Sequence, residues 1–245
     1  MEQIIIGIPI LNRIDLLLEC IGALDYPAHI VVINNNVSDT DFLSRLDKLS
    51  VEGGVKVLHQ SRNLGVSASW NLIIKTALSL GFHKVFIGSN DTILSPGSLK
   101  ASLSFQAGNP AGIWHLHAFN FFAITRVAVE KAGYFDENFY PAYKEDQDYS
   151  YRCGLAGVKR IAGIPGCHAK HYGSATINSD PHYANLNSRT HSLNVEYYCN
   201  KWGGDSGNEM FKRPFNEMHN AIGWWPKSQL ICNRDWDKIP RSDKS

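Results

Sequence analysis

Short apolar runs alternate with helical patterns through the first part of the chain. Apolar runs bounded by turn residues predict buried strands, and they occur at residues 4–10, 30–33, 55–58 and 85–87. Helical spacing of apolar residues fills two of the intervals, at residues 14–23 and 66–80, and Gly81 ends the second helix. Strands that alternate with helices predict an α/β fold with a mostly parallel central sheet flanked by helices.

The pattern changes after Pro96-Gly97. Residues 98–105, 126–132 and 145–156 have helical patterns, and Gly133 and Gly157 follow the last two. Residues 114–124 mix aromatic residues and histidines in a strand-like way, and residues 158–164 predict a short final strand. From residue 178 the chain is polar and aromatic without clear periodicity, although residues 192–201 could form a helix.

Polar loops follow the predicted strands, where ligands of open α/β sheets bind. The first begins with Asn34-Asn35-Asn36 and ends at Asp39. Its amide and carboxylate groups could recognise a nucleobase edge or a ribose hydroxyl. An ordinary turn is the alternative, because Asn and Asp tolerate left-handed backbone and cap helices.

Two further loops suit phosphate and metal. Arg62-Asn63-Leu64-Gly65 precedes a helix, so it could present a cation and free backbone amides to a phosphate. Asp91, after a buried strand, could bind Mg²⁺ or Mn²⁺, which commonly take one or two protein carboxylates and complete their shell with substrate phosphates. Alternatively, Asp91-Thr92 simply starts a turn.

Carboxylates are concentrated between residues 136 and 148. They occur in Asp136-Glu137 and in Glu145-Asp146-Gln147-Asp148. Crowded acids raise one another's proton affinity, so such a cluster can supply a general base of adjusted pKa. Acidic residues also favour the first turn of a helix, and an ordinary solvated helix start is the alternative.

The composition and net charge limit which classes of function the chain can have. The chain has 245 residues, 44% of them hydrophobic and 19% charged, which is typical of a globular protein. Its net charge of +1 and lack of a basic run give no reason to expect nucleic acid as a partner. The apolar segment at residues 4–11 is too short to span a bilayer and lacks the features of a signal peptide.

The cysteines indicate a reducing compartment. They are odd in number and scattered, at Cys20, Cys153, Cys167, Cys199 and Cys232. This argues against a disulfide framework and favours a cytoplasmic location. A zinc site from Cys153, Cys167, His168 and His171 is the weaker alternative, because no Cys-x-x-Cys pair anchors it.

Taken together, the loops resemble family 2 glycosyltransferases of the GT-A fold. The resemblance covers about residues 3–176, and its pieces follow the order of the family. They are Ile8-Pro9 with Asn12-Arg13, Val32-Ile33-Asn34-Asn35-Asn36 to Asp39, Asn63-Leu64-Gly65 to Asn71, Ser89-Asn90-Asp91, Gly133-Tyr134-Phe135-Asp136-Glu137, Glu145-Asp146 and His171. The expected organisation is a donor-binding half at residues 1–97, an acceptor-binding and catalytic half of the same domain at 98–177, and a C-terminal extension at 178–245.

The resemblance implies metal-assisted transfer of a sugar from a UDP-, GDP- or TDP-linked donor to a hydroxyl of a glycan or lipid-linked acceptor, with inversion. It implies a metal, Mn²⁺ or Mg²⁺, bound by Asp91 and His171, and a base, Asp146, with Glu145 and Asp148 as tuning neighbours. The implied nucleotide-binding residues are Pro9, Asn12, Asn34, Asn36, Arg62, Asn63, Gly65 and Asn90. The expected acceptor-binding residues are Trp114, His117, Asp136 and Tyr143.

Two departures from the family pattern leave alternative functions open. Asn34 replaces the usual Asp of the base-binding loop, and Ser89-Asn90-Asp91 replaces an Asp-x-Asp metal motif. These departures suit the main alternative, an inactive nucleotide- or glycan-binding protein of the same fold. A glycoside hydrolase with paired carboxylates is a third reading, but the nucleotide-type loops argue against it.

Several histidines and tryptophans have more than one possible role. His115 and His117 share one face of a predicted strand, where they could line the acceptor pocket or be partly buried. His168 competes with His171 for the metal. Trp202, Trp224 and Trp225 in the extension could cover the acceptor side, pack on a second subunit or contact a membrane peripherally; the oligomeric state is open.

Overall fold

The computed structural model describes residues 2–173, 175 and 179–216. Trp224, Trp225 and Cys232 lie outside the described residues. The strands are β1 (Ile4–Ile10), β2 (Ala28–Asn34), β3 (Lys56–His59), β4 (Lys84–Gly88), β5 (Thr92–Leu94), β6 (Ile113–His117), β7 (Phe121–Thr125), β8 (Arg160–Ile161) and β9 (Ala169–His171). The helices are α1 (Ile14–Gly22), α2 (Thr40–Gly53), α3 (Gly65–Ser79), α4 (Ser98–Gly108), α5 (Arg126–Ala132), α6 (Glu145–Leu155) and α7 (Pro181–Trp202).

Seven strands form the central sheet in the order β3-β2-β1-β4-β7-β6-β8. β7 is antiparallel to both of its neighbours, whereas the other pairings are parallel. β5 and β9 form a separate antiparallel pair. The predicted α/β class with a mostly parallel sheet is therefore confirmed.

Both faces of the sheet are covered, which explains the continuous apolar runs of its central strands. Alternate residues of β1 enter two separate cores, with Ile4, Ile6 and Ile8 on one face and Ile5 on the other. Helices α1, α2 and α4 pack on the first face, and α3, α5 and α6 on the second. Gly7 allows α3 to approach β1 closely, since a Cβ at this position would lie 2.1 Å from Ile73 Cγ2.

The structure differs from the sequence predictions in several places, and β5 and β9 were not predicted. Residues 114–124 form a β6-β7 hairpin rather than one strand, and the predicted strand at 158–164 is reduced to β8. Helix α2 was not predicted; only Phe42 and Leu46 of it are buried, so its apolar period is weak. The helical pattern at 192–201 is the last part of the 22-residue α7.

Buried charges attach α7 to the sheet domain. Lys201 Nζ lies 2.7 Å from both Asp136 Oδ2 and Asp148 Oδ1. Asp148 also accepts hydrogen bonds from Trp202 Nε1 and Arg152 Nε, each at 2.8 Å. The backbone carbonyl of Ala132 accepts from Arg152, so the cluster links α5, α6 and α7. Within the described residues, none of the helices is both long and apolar enough to cross a bilayer.

Replacing Lys201 by Met is expected to lower the free energy of unfolding by about 3–5 kcal/mol, because it leaves buried carboxylates without their cation. The Lys201 residue is 4% exposed. Urea denaturation would measure the loss. Lys48→Met is the control, since Lys48 is exposed and lies 4.0 Å from Glu52; it should change the stability by less than about 0.5 kcal/mol. Equal stability of both variants would contradict the role given to Lys201.

The same charge cluster makes the stability of the fold depend on pH in the acid range. Burial alone would raise the pKa of Asp136, but Lys201 and further hydrogen bonds lower it from 3.8 to about 2. A carboxyl whose folded pKa is depressed stabilises the fold above its unfolded pKa. This contribution is therefore present above about pH 4 and is lost as the pH falls through about 2.

Candidate active site

A cleft of about 290 Å³ opens at the carboxyl ends of β1, β2 and β4. The sequence-predicted site residues that line it are Pro9, Asn63, Gly65, Asn90, Asp91, Tyr143, Glu145, Asp146 and His171. The structure thus brings together residues from both halves of the chain. The remaining walls include Asn35, Trp70, Phe119, Asn120, Tyr183, Leu186 and Asn187.

The loop after β2 presents Asn35 to the cleft. Its Oδ1 accepts from Leu64 N at 2.9 Å and its Nδ2 donates to Ser69 Oγ at 3.0 Å, which ties β2 to α3. Asn34 and Asn36, the residues predicted from the sequence, do not line the cleft. The buried Asn34 side chain bonds to the Asn36 backbone at 2.9 Å in an Asx-type turn and faces His59 Nδ1 at 3.0 Å.

The start of α3 is already covered, contrary to the expectation that its amides are free for phosphate. Asn63 Oδ1 accepts from Gly65 N at 2.9 Å, and Pro141 O accepts from Val66 N at 2.8 Å. Gly65 has a φ of +74°, and a Cβ there would lie 2.9 Å from Pro141 O, so a side chain does not fit. Arg62 is exposed and does not line the cleft.

Asp91, directly before β5, and His171, the last residue of β9, face each other. Asp91 is 5% exposed, and its Oδ1 lies 3.3 Å from His171 Nε2. His171 Nδ1 lies 3.4 Å from Asn120 Nδ2, which is 3.3 Å from His117 Nδ1. His117 therefore stands behind His171 and does not line the cleft. His168 contributes its backbone to Ser98 and Ser95.

Asn90 stabilises the neighbouring loop. Its Nδ2 donates to the backbone carbonyl of Asn12 at 3.2 Å, so Asn12 contributes main chain to this part of the site. The side chain of Asn12 does not line the cleft. This contact joins the end of β4 to the turn that follows β1.

Two residues in left-handed conformation direct the start of α6 into the cleft. Tyr143 and Lys144 have φ values of 76° and 73°, which is uncommon outside glycine. Glu145 and Asp146 follow as the first helical residues and both line the cleft. Such backbone persists when surrounding contacts hold it, and it is common at functional sites.

The two carboxyls at this helix start have raised proton affinity. Burial, followed by the Asp146 carboxylate, raises the pKa of Glu145 well above 4.5. Burial also raises the pKa of Asp146 above 3.8, against the hydrogen bond that Gln147 N donates at 2.8 Å. An acid with a raised pKa is a better proton acceptor once ionised, which suits a general base.

Helix α7 holds the loop that borders the cleft. Asn194 Nδ2 faces three carbonyl oxygens, those of Tyr140 at 3.2 Å, Ala142 at 2.9 Å and Tyr143 at 3.3 Å. The ring of Tyr143 packs edge-on against His191 at 5.5 Å. The same helix supplies Tyr183, Leu186 and Asn187 to the cleft, and no periodic signal in the sequence pointed to these residues.

Three further predicted site residues do not line the cleft. Trp114 is 5% exposed, packs in a core on the α4 side of the sheet, and donates from Nε1 to Asn109 O at 2.9 Å. Asp136 and Asp148 are both buried in the charge cluster around Lys201. The structure therefore places these three side chains in packing and ion pairing, away from the cleft.

The remaining histidine and cysteine alternatives find no support. His115 Nδ1 donates to Ala118 O at 2.9 Å, and burial lowers the pKa of His115. Burial raises the pKa of Cys153 to about 12 and that of Cys167 to about 11, which disfavours the thiolate that zinc requires. Among the described residues, no group of three or more His, Cys, Asp or Glu side chains could hold a metal by itself.

Comparisons with known proteins agree on one fold. No family profile matches the sequence. A galactofuranosyl glycosyltransferase from Leishmania donovani is 32% identical over 112 residues, which are 45% of this chain and 24% of that protein. The chain thus spans about a quarter of the length of this curated relative.

Solved structures extend the likeness over most of the chain. S. aureus TarS 1-349 in complex with UDP-GlcNAc matches with a TM-score of 0.56 and 13% identity, over 84% of this chain and 74% of that one. The mannosyltransferase PcManGT from Pyrobaculum calidifontis, in complex with GDP-Man and Mn²⁺, matches with a TM-score of 0.55 and 15% identity, over 78% and 63%. The chain therefore has the GT-A glycosyltransferase fold that its sequence predicts.

Proposed function

We propose that this protein transfers a sugar from a nucleotide-diphosphate donor to a hydroxyl group of an acceptor, with inversion at the anomeric carbon. The observation that carries the proposal is the convergence of Asp91, His171 and Asp146 on one cleft at the carboxyl ends of the strands. TarS in complex with UDP-GlcNAc and PcManGT in complex with GDP-Man have the same fold, which supports a nucleotide-sugar donor.

The nucleotide occupies the β1 and β2 side of the cleft on this proposal. Pro9 and Asn35 stand at the ends of these strands, and Asn63 and Gly65 continue the wall. Arg62 is exposed beside this wall, where its guanidinium can meet a phosphate from the solvent side. On this proposal Asn34 and Asn36 do not line the nucleotide site, and they contribute by holding the conformation of their loop.

Asp91 and His171 suit a divalent ion. Mg²⁺ and Mn²⁺ take carboxylate oxygens and complete their shell with water and substrate phosphates, and Mn²⁺ also accepts an imidazole nitrogen. A carboxylate and an imidazole that face each other at 3.3 Å supply such a partial set. When bound, the ion would neutralise charge on the leaving diphosphate. The complex of PcManGT with GDP-Man and Mn²⁺ supports this cofactor.

Asp146 removes the proton from the acceptor hydroxyl. The hydroxyl oxygen attacks the anomeric carbon, the new C–O bond forms on the face opposite the leaving group, and the bond to the diphosphate oxygen breaks. Asp146 lies at the start of α6 within the cleft, so the helix dipole favours its ionised form while burial favours the proton. These opposed effects suit a base that cycles between both states.

The acceptor approaches from the α6 and α7 side. Tyr143 and Tyr183 line this part of the cleft, and aromatic rings with a polar edge are common walls of sugar sites. We propose that the acceptor is a glycan or a lipid-linked glycan. On this proposal the protein acts in the cytoplasm and contacts a membrane peripherally.

Thermal unfolding with nucleotides tests the proposal. UDP, GDP, TDP and CDP are added in turn, each with and without Mn²⁺. We expect one of them at 100 times its Kd to stabilise the fold by about 2.7 kcal/mol, which raises the Tm by roughly 5–10 °C for a chain of this size. Inorganic diphosphate with Mn²⁺ is the control for binding without a base. No shift with any nucleotide would contradict the proposed function.

A further inference from the structure

Two buried oxygens of the cleft wall have no hydrogen-bond partner within the described part of the chain. They are Glu145 Oε2, at the start of α6, and Asn187 Oδ1, on α7. Both residues line the cleft, and Glu145 is 6% exposed. A buried polar atom without a partner costs about 1–3 kcal/mol, so two of them in one cleft indicate a ligand that supplies the missing bonds.

The surroundings of Glu145 select the chemistry of that ligand. The nearest cation in sequence, Lys144, is turned to Asp205 at 2.6 Å and to Gln147 at 2.8 Å. Asp146 is the adjacent carboxyl, and the pKa of Glu145 is raised well above 4.5 by burial and by this neighbour. A phosphate would be repelled by the Asp146 carboxylate, whereas a neutral hydroxyl would not.

A carboxyl group accepts hydrogen bonds in both of its protonation states and also donates one when protonated, and the Asn187 oxygen accepts. Hydroxyl groups on a sugar ring also donate and accept, so they complement this pair. Trp70 and Phe119 give the cleft apolar surface, which suits the C–H face of a sugar ring.

We propose that Glu145 and Asn187 together form a hydroxyl-binding subsite that selects the sugar ring held in the cleft. The inference rests on the proposed function and adds α7, a helix of the C-terminal extension, to the specificity-determining residues. The ring belongs either to the donor or to the acceptor, since both meet at Asp146 during transfer.

Leucine substitutions test the subsite, because Leu removes the polar atoms and keeps similar volume. The variants are Glu145→Leu and Asn187→Leu, and the control is Asn185→Leu, an exposed position of the same helix. Calorimetry in the presence of Mn²⁺ measures the Kd of UDP, UDP-GlcNAc and UDP-galactofuranose, and the Kd of GDP and GDP-mannose. Each bare nucleotide is then compared with its sugar-bearing form. Transfer kinetics give KM for methyl galactoside and methyl mannoside as acceptors.

We expect each variant to bind the bare nucleotide within about twofold of wild type and to lose roughly tenfold in affinity for one sugar ring. A loss confined to the nucleotide sugars assigns the subsite to the donor ring. A loss confined to the acceptor KM assigns it to the acceptor ring. The Asn185→Leu control should keep all values.

Two results would overturn the subsite. If the nucleotide binds but neither sugar affinity nor acceptor KM changes, the subsite is refuted while the transferase stands. If wild type binds no nucleotide, the proposed function fails and the subsite with it. Thermal unfolding of both variants shows whether a loss of affinity comes from a destabilised fold; a lower Tm with unchanged sugar affinity and unchanged acceptor KM is an instance of the first of these two results.

Discussion

Changing Asp146 to Asn is expected to lower the transfer rate by about 10²–10⁴-fold while the Kd for the nucleotide stays within about twofold. The amide keeps the size of the side chain but cannot take the acceptor proton. Single-turnover transfer measures the chemical step, and calorimetry measures the nucleotide. Asp41→Asn is the matched control, since Asp41 also lies in the first turn of a helix, on the exposed side of α2.

The pH dependence gives an independent check on Asp146. The base must be ionised, so kcat/KM falls as the pH decreases through its pKa. Because burial raises this pKa above 3.8, the acid limb should lie at higher pH than for an ordinary aspartate, and Asp146→Asn should abolish it. Undiminished turnover in the variant would exclude Asp146 and move the role to Glu145, the other carboxyl at the start of α6 that lines the cleft, since Asp148 is paired with Arg152 and Lys201.

Changing Asp91 to Asn is expected to reduce transfer by about 10³-fold and to remove the effect of Mn²⁺ on nucleotide affinity. Asp91 supplies the carboxylate of Ser89-Asn90-Asp91, and an uncharged amide binds a hard cation weakly. Initial rates across a Mn²⁺ titration and calorimetry of the nucleotide with and without Mn²⁺ measure both effects.

Asp47→Asn is the control for this change. Asp47 Oδ1 lies 3.1 Å from His59 Nε2 in an exposed aspartate–histidine pair outside the cleft, so the same chemical change there should leave the rate and the Mn²⁺ response intact. Nucleotide binding and transfer that are unaffected in Asp91→Asn would contradict the assigned metal role.

The central sheet was predictable because its strands are buried on both faces. The run Ile4–Ile10 is apolar throughout for this reason, and β4 and β7 follow the same rule. Helix α2 was missed because its contact with the core depends on few side chains, chiefly Phe42 and Leu46. Apolar residues recur at helical spacing only where one face of a helix is buried. A helix that buries few side chains therefore leaves a weak apolar pattern in the sequence.

The contribution of α7 to the site could not be predicted from apolar periodicity. Its buried residues include Thr190, Asn194 and Lys201, which lie on one face but are polar. The family motifs placed Asp91, Asp146 and His171 in one cleft, since each motif fixes a position relative to a strand end. The side-chain direction of Asn34 depends on a local turn and on His59, which no motif encodes.

The charge cluster beneath the cleft restricts how this chain can diverge. Asp136 and Asp148 share the ammonium of Lys201, and each lies on a different segment from it. A descendant that loses the lysine alone retains two buried acids around one remaining arginine, so selection should remove it. Positions 136, 148 and 201 are therefore expected to covary among homologues, as one inherited unit that spans the sheet domain and the C-terminal extension.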